Sequence, residues 1–311
     1  MGSDPRSAPI RAAIDVGTNS VLLLVAAVRS EGGGKRLEVL DEAEQVTRLG
    51  EGVAASGELR PEAIQRTVAV IRSFVERARA RGAEEIQIVA TNAARSARNA
   101  KDFVRAVETE VGVPVRILSG QEEAYAAFRG AQASLGHFEG TILVIDVGGG
   151  STELVAGDNQ PRGWVSLEIG AVRLSERFVK SDPWGPEEWR ELREAVRRSL
   201  ANVKLPLSDR PAVTVGVGGT ITTLGMVKLG LDVYDARALE GLVFAAQELD
   251  SWAEKLARMT VAERRRLPGV PALRADVLPA GVAIFAEAVR RFDSEHLRVS
   301  TFGIRHGILL G

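Results

Sequence analysis

An apolar run from Ala12 to Val16 delivers an aspartate, gives way to glycine and small polar residues at Gly17 to Ser20, and resumes from Val21 to Val28. Apolar, β-branched segments on both sides of a glycine turn predict a strand, a tight turn and a returning strand. Leu37 to Arg48 is predicted to extend this sheet. The period then changes: Pro61 to Arg81 carries apolar residues at helical spacing with proline in the first turn, which predicts an amphipathic helix. Glu85 to Ala90 is predicted as a short buried strand, Ala100 to Val111 as a helix, Val115 to Leu118 as a strand and Gln121 to Ser134 as a closing helix.

The second half repeats the plan. Ile142 to Val147, Glu153 to Ala156 and Gly163 to Glu168 are predicted strands, followed by helices at Ala171 to Phe178 and Pro186 to Val203. Ala212 to Val217 is a strand running into a glycine turn at Gly216 to Thr220 and a helix. Helices at Ala245 to Arg258, Val261 to Arg266 and Ala272 to Arg291 and a strand at Leu297 to Thr301 complete the pattern. The expected fold is α/β, with two domains, residues 1–120 and 121–311, each a mixed sheet flanked by helices, and an active site in a cleft between them.

The repetition is sharpest at the turns. Ile14-Asp15-Val16-Gly17-Thr18-Asn19-Ser20-Val21-Leu22-Leu23 matches Ile145-Asp146-Val147-Gly148-Gly149-Gly150-Ser151-Thr152-Glu153-Leu154 at six of ten positions, 131 residues on. Glycine lets backbone approach an anion, while N–H groups and hydroxyls can donate to phosphate oxygens and the aspartate can hold a divalent cation or its water. One such turn is commonly an ordinary hairpin. Two matched copies point to phosphate binding by Asp15, Gly17, Thr18, Asn19 and Ser20, and by Gly148, Gly149, Gly150, Ser151 and Thr152.

Composition narrows the chemistry. With 311 residues, 45% of them hydrophobic, the chain can build two cores. The absence of cysteine excludes disulfides and thiol catalysis and fits a cytoplasmic setting. The net charge of −1 supplies no field for a nucleic acid, and the eight residues of Val21 to Val28 are too few to span a membrane. His137, His296 and His306 do not share metal-ligand spacing. Met1 to Ser7 reads as a frayed tail, Gly32 to Gly34 as a hairpin tip, and the arginine runs at Arg77 to Arg81 and Arg264 to Arg266 as solvated helix ends.

Asp146 and Glu153 flank the second turn, where a hairpin can bring both carboxylates onto one Mg²⁺ or another divalent cation. Arg95, after a short strand, is placed for bidentate contact with a terminal phosphate, and Arg98, Lys101, Arg173 and Arg305 can extend a basic track. Glu122 and Glu123 follow Ser119-Gly120 at a helix start, where acids are favoured by the helix dipole and where a carboxylate can equally serve as a base. Gly218, Gly219 and Thr220 form a third turn, either a phosphate contact or a close strand-to-helix packing point.

The ordered set of motifs resembles the actin, Hsp70 and sugar-kinase superfamily and, more closely, the exopolyphosphatase/guanosine pentaphosphate phosphohydrolase family. The carriers are the two turns, Thr91-Asn92-Ala93-Ala94-Arg95, Ser119-Gly120-Gln121-Glu122-Glu123-Ala124, Gly218-Gly219-Thr220, Gly170 to Leu174 and Gly303 to Gly307. The resemblance implies two actin-like (ribonuclease H-like) domains and a catalytic role for Glu123 rather than Glu122, with Arg95 beside it. It also implies inorganic polyphosphate or guanosine pentaphosphate as substrate, and the short two-domain form of the family. Ser96 stands where an acid is common in the family. An ATPase or kinase of the superfamily and a non-catalytic guanosine tetra- or pentaphosphate-binding regulator are the alternatives. The apolar helix face near Ala280 to Ala288 can serve either the core or a homodimer.

Overall fold

The structure, a computed structural model, describes residues 8–31, 34–136, 138–207 and 210–311. The expected tail at 1–7, most of the glycine hairpin tip and His137 lie outside the described residues. In chain order the elements of the first half are β1 (Ile10–Val16), β2 (Ser20–Glu31), β3 (Gly34–Val46), α1 (Val53–Ser56), α2 (Pro61–Ala80), β4 (Glu85–Ala90), α3 (Asn92–Ser96), α4 (Ala100–Val111), β5 (Val115–Ile117) and α5 (Gly120–Leu135). They are followed by β6 (Ile142–Val147), β7 (Thr152–Gly157), β8 (Pro161–Leu167), α6 (Ala171–Phe178), α7 (Pro186–Ala201), β9 (Val213–Val217) and α8 (Gly219–Leu229). The chain continues through α9 (Ala236–Leu239), β10 (Val243–Ala245), α10 (Ala246–Arg258), α11 (Val261–Arg264), α12 (Leu278–Arg291), β11 (His296–Val299) and α13 (Ile304–Leu310).

Two compact units emerge, Met1–Gly130 with Ile304–Gly311, and Ala131–Gly303. The first holds a five-stranded sheet ordered β3-β2-β1-β4-β5, antiparallel from β3 to β1 and parallel from β1 through β4 to β5. The second repeats that order as β8-β7-β6-β9-β11 and adds β10 at the edge, antiparallel to β11. The duplication seen in the two turns therefore extends to both sheets.

Strand alternation decides which residues face the chemistry. On β1, Ala12, Ile14 and Val16 pack into a core with Ile71, Phe74 and Val75 of α2 and Phe103 and Val107 of α4. The alternate face carries Ala13, which packs with Leu24, Ala26 and Leu309 of α13, and hence Asp15. In the second unit Leu143, Ile145 and Val147 of β6 face a core built with α7, α10 and α12, leaving Asp146 on the opposite face.

The last helix was expected within the 121–311 domain; α13 instead packs on β1, β2 and β3, because Leu309 fills the apolar face beside Ala13 and Leu24. Its Arg305 Nη1 donates to the Leu23 carbonyl. Helix α12 starts at Leu278 rather than Ala272, with Pro279 in its first turn, and its residues from Leu278 to Val289 are all buried. The apolar face considered for a homodimer thus belongs to the core of the second unit. Arg264 is also not solvated: it is fully buried, with its guanidinium 5.5 Å from the Trp184 ring centroid and 3.4 Å from Asp182. No helix among the described residues is long and apolar enough to cross a membrane.

Candidate active site

In the first unit the carboxyl ends of three parallel strands converge, the usual location of ligand sites in open α/β sheets. Strand β1 ends in the Gly17–Ser20 turn, β4 in Thr91 and α3, and β5 in Ser119 and the start of α5. The ends are stitched together: Thr91 N donates to Val16 O at 3.1 Å, and Leu118 N to Ala90 O at 2.8 Å. Residues far apart in sequence thereby share one edge of the sheet.

The turn itself is closed by Gly17 N donating to Ser20 O at 2.9 Å. Its carbonyls are taken up from outside, since Thr47 N and Arg48 N donate to Asn19 O at 2.9 and 2.8 Å and Gly50 N donates to Thr18 O at 2.9 Å. A Cβ at Gly50 would lie 2.3 Å from Thr18 Cγ2, so only glycine allows this approach. The bonds also hold Arg48 in the left-handed region at φ 54°. The turn is braced before any anion arrives.

Asp15 lies behind it, 8% exposed. Burial first, and then the charge of Glu123, push its carboxyl up to about 7, with Arg305 opposing and Glu44 adding to the rise. Asp15 Oδ1 and Asn19 Oδ1 are both buried without a hydrogen-bond partner.

Glu123 is 5% exposed. Burial raises its carboxyl above the usual range, while the Arg95 charge, the Arg95 hydrogen bond and a hydrogen bond from the Thr91 hydroxyl pull it down. Arg95 Nη1 donates to Glu123 Oε2 and to Leu118 O, both at 2.8 Å. The neighbouring acid does something else. Glu122 Oε2 accepts from Ser119 N and Ser119 Oγ at 2.9 Å each, and Glu122 N donates to Ser119 Oγ at 3.2 Å, a reciprocal cap that opens α5. Glu122 is exposed and caps α5, whereas Glu123 is buried beside Arg95, so the two neighbouring acids are held in different ways.

The second unit presents its own version of the turn. Gly148 N donates to Ser151 O at 3.0 Å, the same closing bond as in the first copy. Here the bracing comes from α6: Ala171 N donates to Gly148 O at 3.0 Å and Val172 N to Gly149 O at 2.9 Å, while Arg173 Nε donates to Gly150 O at 2.8 Å. A Cβ at Gly170 would lie 2.4 Å from Gly149 O. Thr152 is fully buried and its hydroxyl donates to Ile169 O at 2.7 Å, so its proton is committed to the scaffold. The third turn is adjacent: Gly218, at φ 97°, has Asp146 Oδ1 3.1 Å from its Cβ position, Gly219 lies against the Arg274 guanidinium, and Thr220 packs on Gly281 of α12.

Asp146 pairs directly with Glu153 across β6 and β7, which puts both side chains on one face. In the first turn the residue opposite Asp15 is Leu22, so the paired acids belong to the second copy alone. Glu153 is 1% exposed, and Ser166 Oγ donates to its Oε1 at 2.7 Å. No cluster of three or more acids or histidines suited to a metal occurs among the described residues. Two hard carboxylates on one face are nonetheless the kind of donor that a small divalent cation of the Mg²⁺ type takes.

The basic track dissolves on inspection. Arg98 is bonded to Ser56 O and paired with Glu58, Arg173 is paired with Glu168 at 2.6 Å, and Arg305 is buried on β2. Arg95 alone of that set stands beside a candidate catalytic group. Three contributors escaped the sequence reading: the Thr91 hydroxyl on Glu123, Ser166 on Glu153, and the Arg305 charge acting on Asp15. Only the Ser119-x-x-Glu122 cap had a legible signal, its capping-box spacing.

Known proteins are similar to this chain in sequence and architecture. The protein named exopolyphosphatase 2 of Mycobacterium tuberculosis is 36% identical, with 96% of this chain and 97% of that protein covered. The protein named exopolyphosphatase 1 of Mycobacterium bovis is 29% identical over 96% of this chain and 86% of its own. Among solved structures, the Aquifex aeolicus member of the Ppx/GppA family superposes with a TM-score of 0.78 at 34% identity, covering 97% of each chain. A sequence model of the Ppx/GppA phosphatase family matches residues 25–311, and with the duplicated turns and twin mixed sheets this makes the chain a member of that family, with its actin-like two-domain fold and hydrolase chemistry.

Proposed function

We propose that this protein is an exopolyphosphatase, releasing terminal orthophosphate from inorganic polyphosphate in the cytoplasm with the aid of a divalent cation. The observation that carries the reading is Glu123, a buried carboxylate that accepts a hydrogen bond from Arg95 at the strand ends beside a phosphate-type turn. The 36% identity to a protein named exopolyphosphatase 2 supports the choice of substrate.

Phosphoanhydride hydrolysis needs an oriented water, an acceptor for its proton and positive charge on the transferring group. Glu123 takes the proton as the water oxygen bonds to the terminal phosphorus and the bridging P–O bond breaks. The shortened chain leaves with that bond's electron pair. Burial favours this role, because a carboxylate raised above its ordinary range is a stronger base than one free in water. Arg95 offers its Nη2 and Nε donors to phosphoryl oxygens while Nη1 stays on Glu123 and Leu118. The backbone of Gly17 to Ser20 and of Gly148 to Ser151 receives phosphate. Asp146 and Glu153 would hold the cation, which when bound would offset charge building on phosphate oxygens.

The test is orthophosphate release from short and long polyphosphate, guanosine pentaphosphate and ATP in parallel, with Mg²⁺ and with a chelator, for the native protein and Glu123→Gln. Metal-dependent release from polyphosphate, reduced roughly 10²- to 10⁴-fold in Glu123→Gln, is the expected result. Full activity in that variant overturns the assignment of the base. Turnover of ATP alone moves the protein to the ATPase or kinase branch, and binding without turnover makes it a regulator.

A further inference from the structure

Gly50 touches two parts of the first-unit site that come from distant stretches of the chain. Its N–H donates to Thr18 O at 2.9 Å, within the Gly17–Ser20 turn. A Cβ built on it would meet Thr18 Cγ2 at 2.3 Å, Thr18 Cβ at 3.2 Å and the Cβ of Ala93 at 3.1 Å, the last belonging to the short helix that carries Arg95. Thr18 and Ala93 are both buried, so neither neighbour has open space to withdraw into. The φ of Gly50 lies outside the left-handed region, unlike those of Gly52 at 77° and Gly57 at 71°. Alanine can adopt that backbone, so it is the closeness of Thr18 and Ala93 that calls for glycine.

We propose that Gly50 is a positioning residue for Thr18: its missing side chain fixes the Thr18 rotamer, and with it the direction of the hydroxyl in the phosphate turn. The inference rests on the reading of Gly17–Ser20 as a turn that receives substrate phosphate. The backbone of the turn is held by Gly17 N on Ser20 O, by Gly50 N on Thr18 O and by Thr47 N and Arg48 N on Asn19 O. Rotating one side chain costs less than breaking those bonds. Ala93 meanwhile keeps a methyl at position 50 from leaning away. Of the three staggered positions on the Thr18 Cβ, the one facing Gly50 holds the methyl. With alanine at position 50, neither methyl nor hydroxyl fits there and only hydrogen does. That single remaining rotamer carries the hydroxyl to a new direction, because methyl and hydroxyl share one carbon of fixed hand.

Thr18→Ser deletes Cγ2, the atom in closest contact, and keeps the hydroxyl. Steady-state orthophosphate release from polyphosphate is measured in the full chain for the native protein, Gly50→Ala, Thr18→Ser and the double variant, below the melting transition of all four. Gly50→Ala is expected to raise KM about tenfold while kcat changes by less than about threefold, the pattern of a lost binding contact. The double variant is expected to return to within about threefold of the KM of Thr18→Ser alone, a coupling that independent sites do not show. In parallel, methyl NMR without substrate follows the Thr18 γ-methyl signal, identified by its loss in Thr18→Ser, and the three-bond couplings that report its χ1. Those couplings are expected to change in Gly50→Ala.

Unchanged couplings in Gly50→Ala overturn the proposal, and so does an altered rotamer with native KM. A fall in kcat at native KM overturns it too, because Gly50 would then be structural only. So does a double variant as impaired as Gly50→Ala, in KM or in folding, since the loss would not run through the Thr18 methyl. If the native protein releases no phosphate from polyphosphate, the functional reading fails on its own. The couplings still decide whether Gly50 sets the rotamer of Thr18.

Discussion

Replacing Asp15 by asparagine should stabilise the ligand-free protein at alkaline pH and leave it unchanged in acid. The Asp15 carboxyl stands at about 7 in the folded chain against 3.8 ordinarily, chiefly through burial. Between those values the unfolded chain has released a proton that the folded chain keeps, so stability falls as pH rises through that window and the whole loss is present above pH 7. About three units at roughly 1.4 kcal/mol each set a ceiling of about 4 kcal/mol. Relaxation of the surroundings around the ionised group brings the expected gain to about 1–3 kcal/mol. Asparagine carries no such penalty, so its advantage should be near zero below pH 4 and complete by pH 8. For a unit of this size, the melting temperature changes by about 4 °C per kcal/mol. Trp164, Trp184, Trp189 and Trp252 all lie in the second unit, so tryptophan fluorescence does not report on Asp15. The appropriate assay is amide hydrogen exchange at β1 and β2 in metal-free, phosphate-free buffer. An advantage of the same size at pH 4 and pH 8, or destabilisation at pH 8, refutes the argument.

Three further outcomes separate the roles of neighbouring residues. Glu122→Ala should cost about 1 kcal/mol through loss of the reciprocal cap with Ser119, seen as faster amide exchange in the first turn of α5, while phosphate release stays at the native rate. Gly170→Ala should lower the urea midpoint read by tryptophan fluorescence by the equivalent of about 1–3 kcal/mol, because its Cβ would lie 2.4 Å from Gly149 O and push α6 off the second turn. Asp146→Asn should raise the Mg²⁺ concentration for half-maximal phosphate release about tenfold or more; an unchanged Mg²⁺ titration would remove Asp146 from the cation site.

The strands and turns were legible because their signals are local. Each phosphate-type turn is announced by an apolar run, an aspartate and glycine within a few residues, and the strand pairing of β1 with β2 and β6 with β7 follows directly. Helix α3 carries no signal in the sequence because its five residues, Asn92 to Ser96, are too few to show a helical period. The start of α12 was placed six residues early because Ala272 to Val277 continues its apolar character while its backbone forms turns. The meeting of Arg95 with Glu123 depends on β4 and β5 lying side by side in parallel, which no local pattern encodes. The fate of the other arginines was equally hidden, since a guanidinium committed to a backbone carbonyl looks the same in sequence as one awaiting a phosphate.

The return of α13 to the first sheet has a consequence for how the protein is made. Residues 131–303 form a contiguous unit that can fold as they leave the ribosome, whereas the first unit waits for a segment translated after all of them. Until Ile304 to Leu310 emerges, the face of β1 and β2 that carries Ala13 and Leu24 lacks Leu309, and Asp15 lacks the opposing charge of Arg305. Asp15 and the Gly17–Ser20 turn therefore rest on a sheet face that is completed only when α13 has been made.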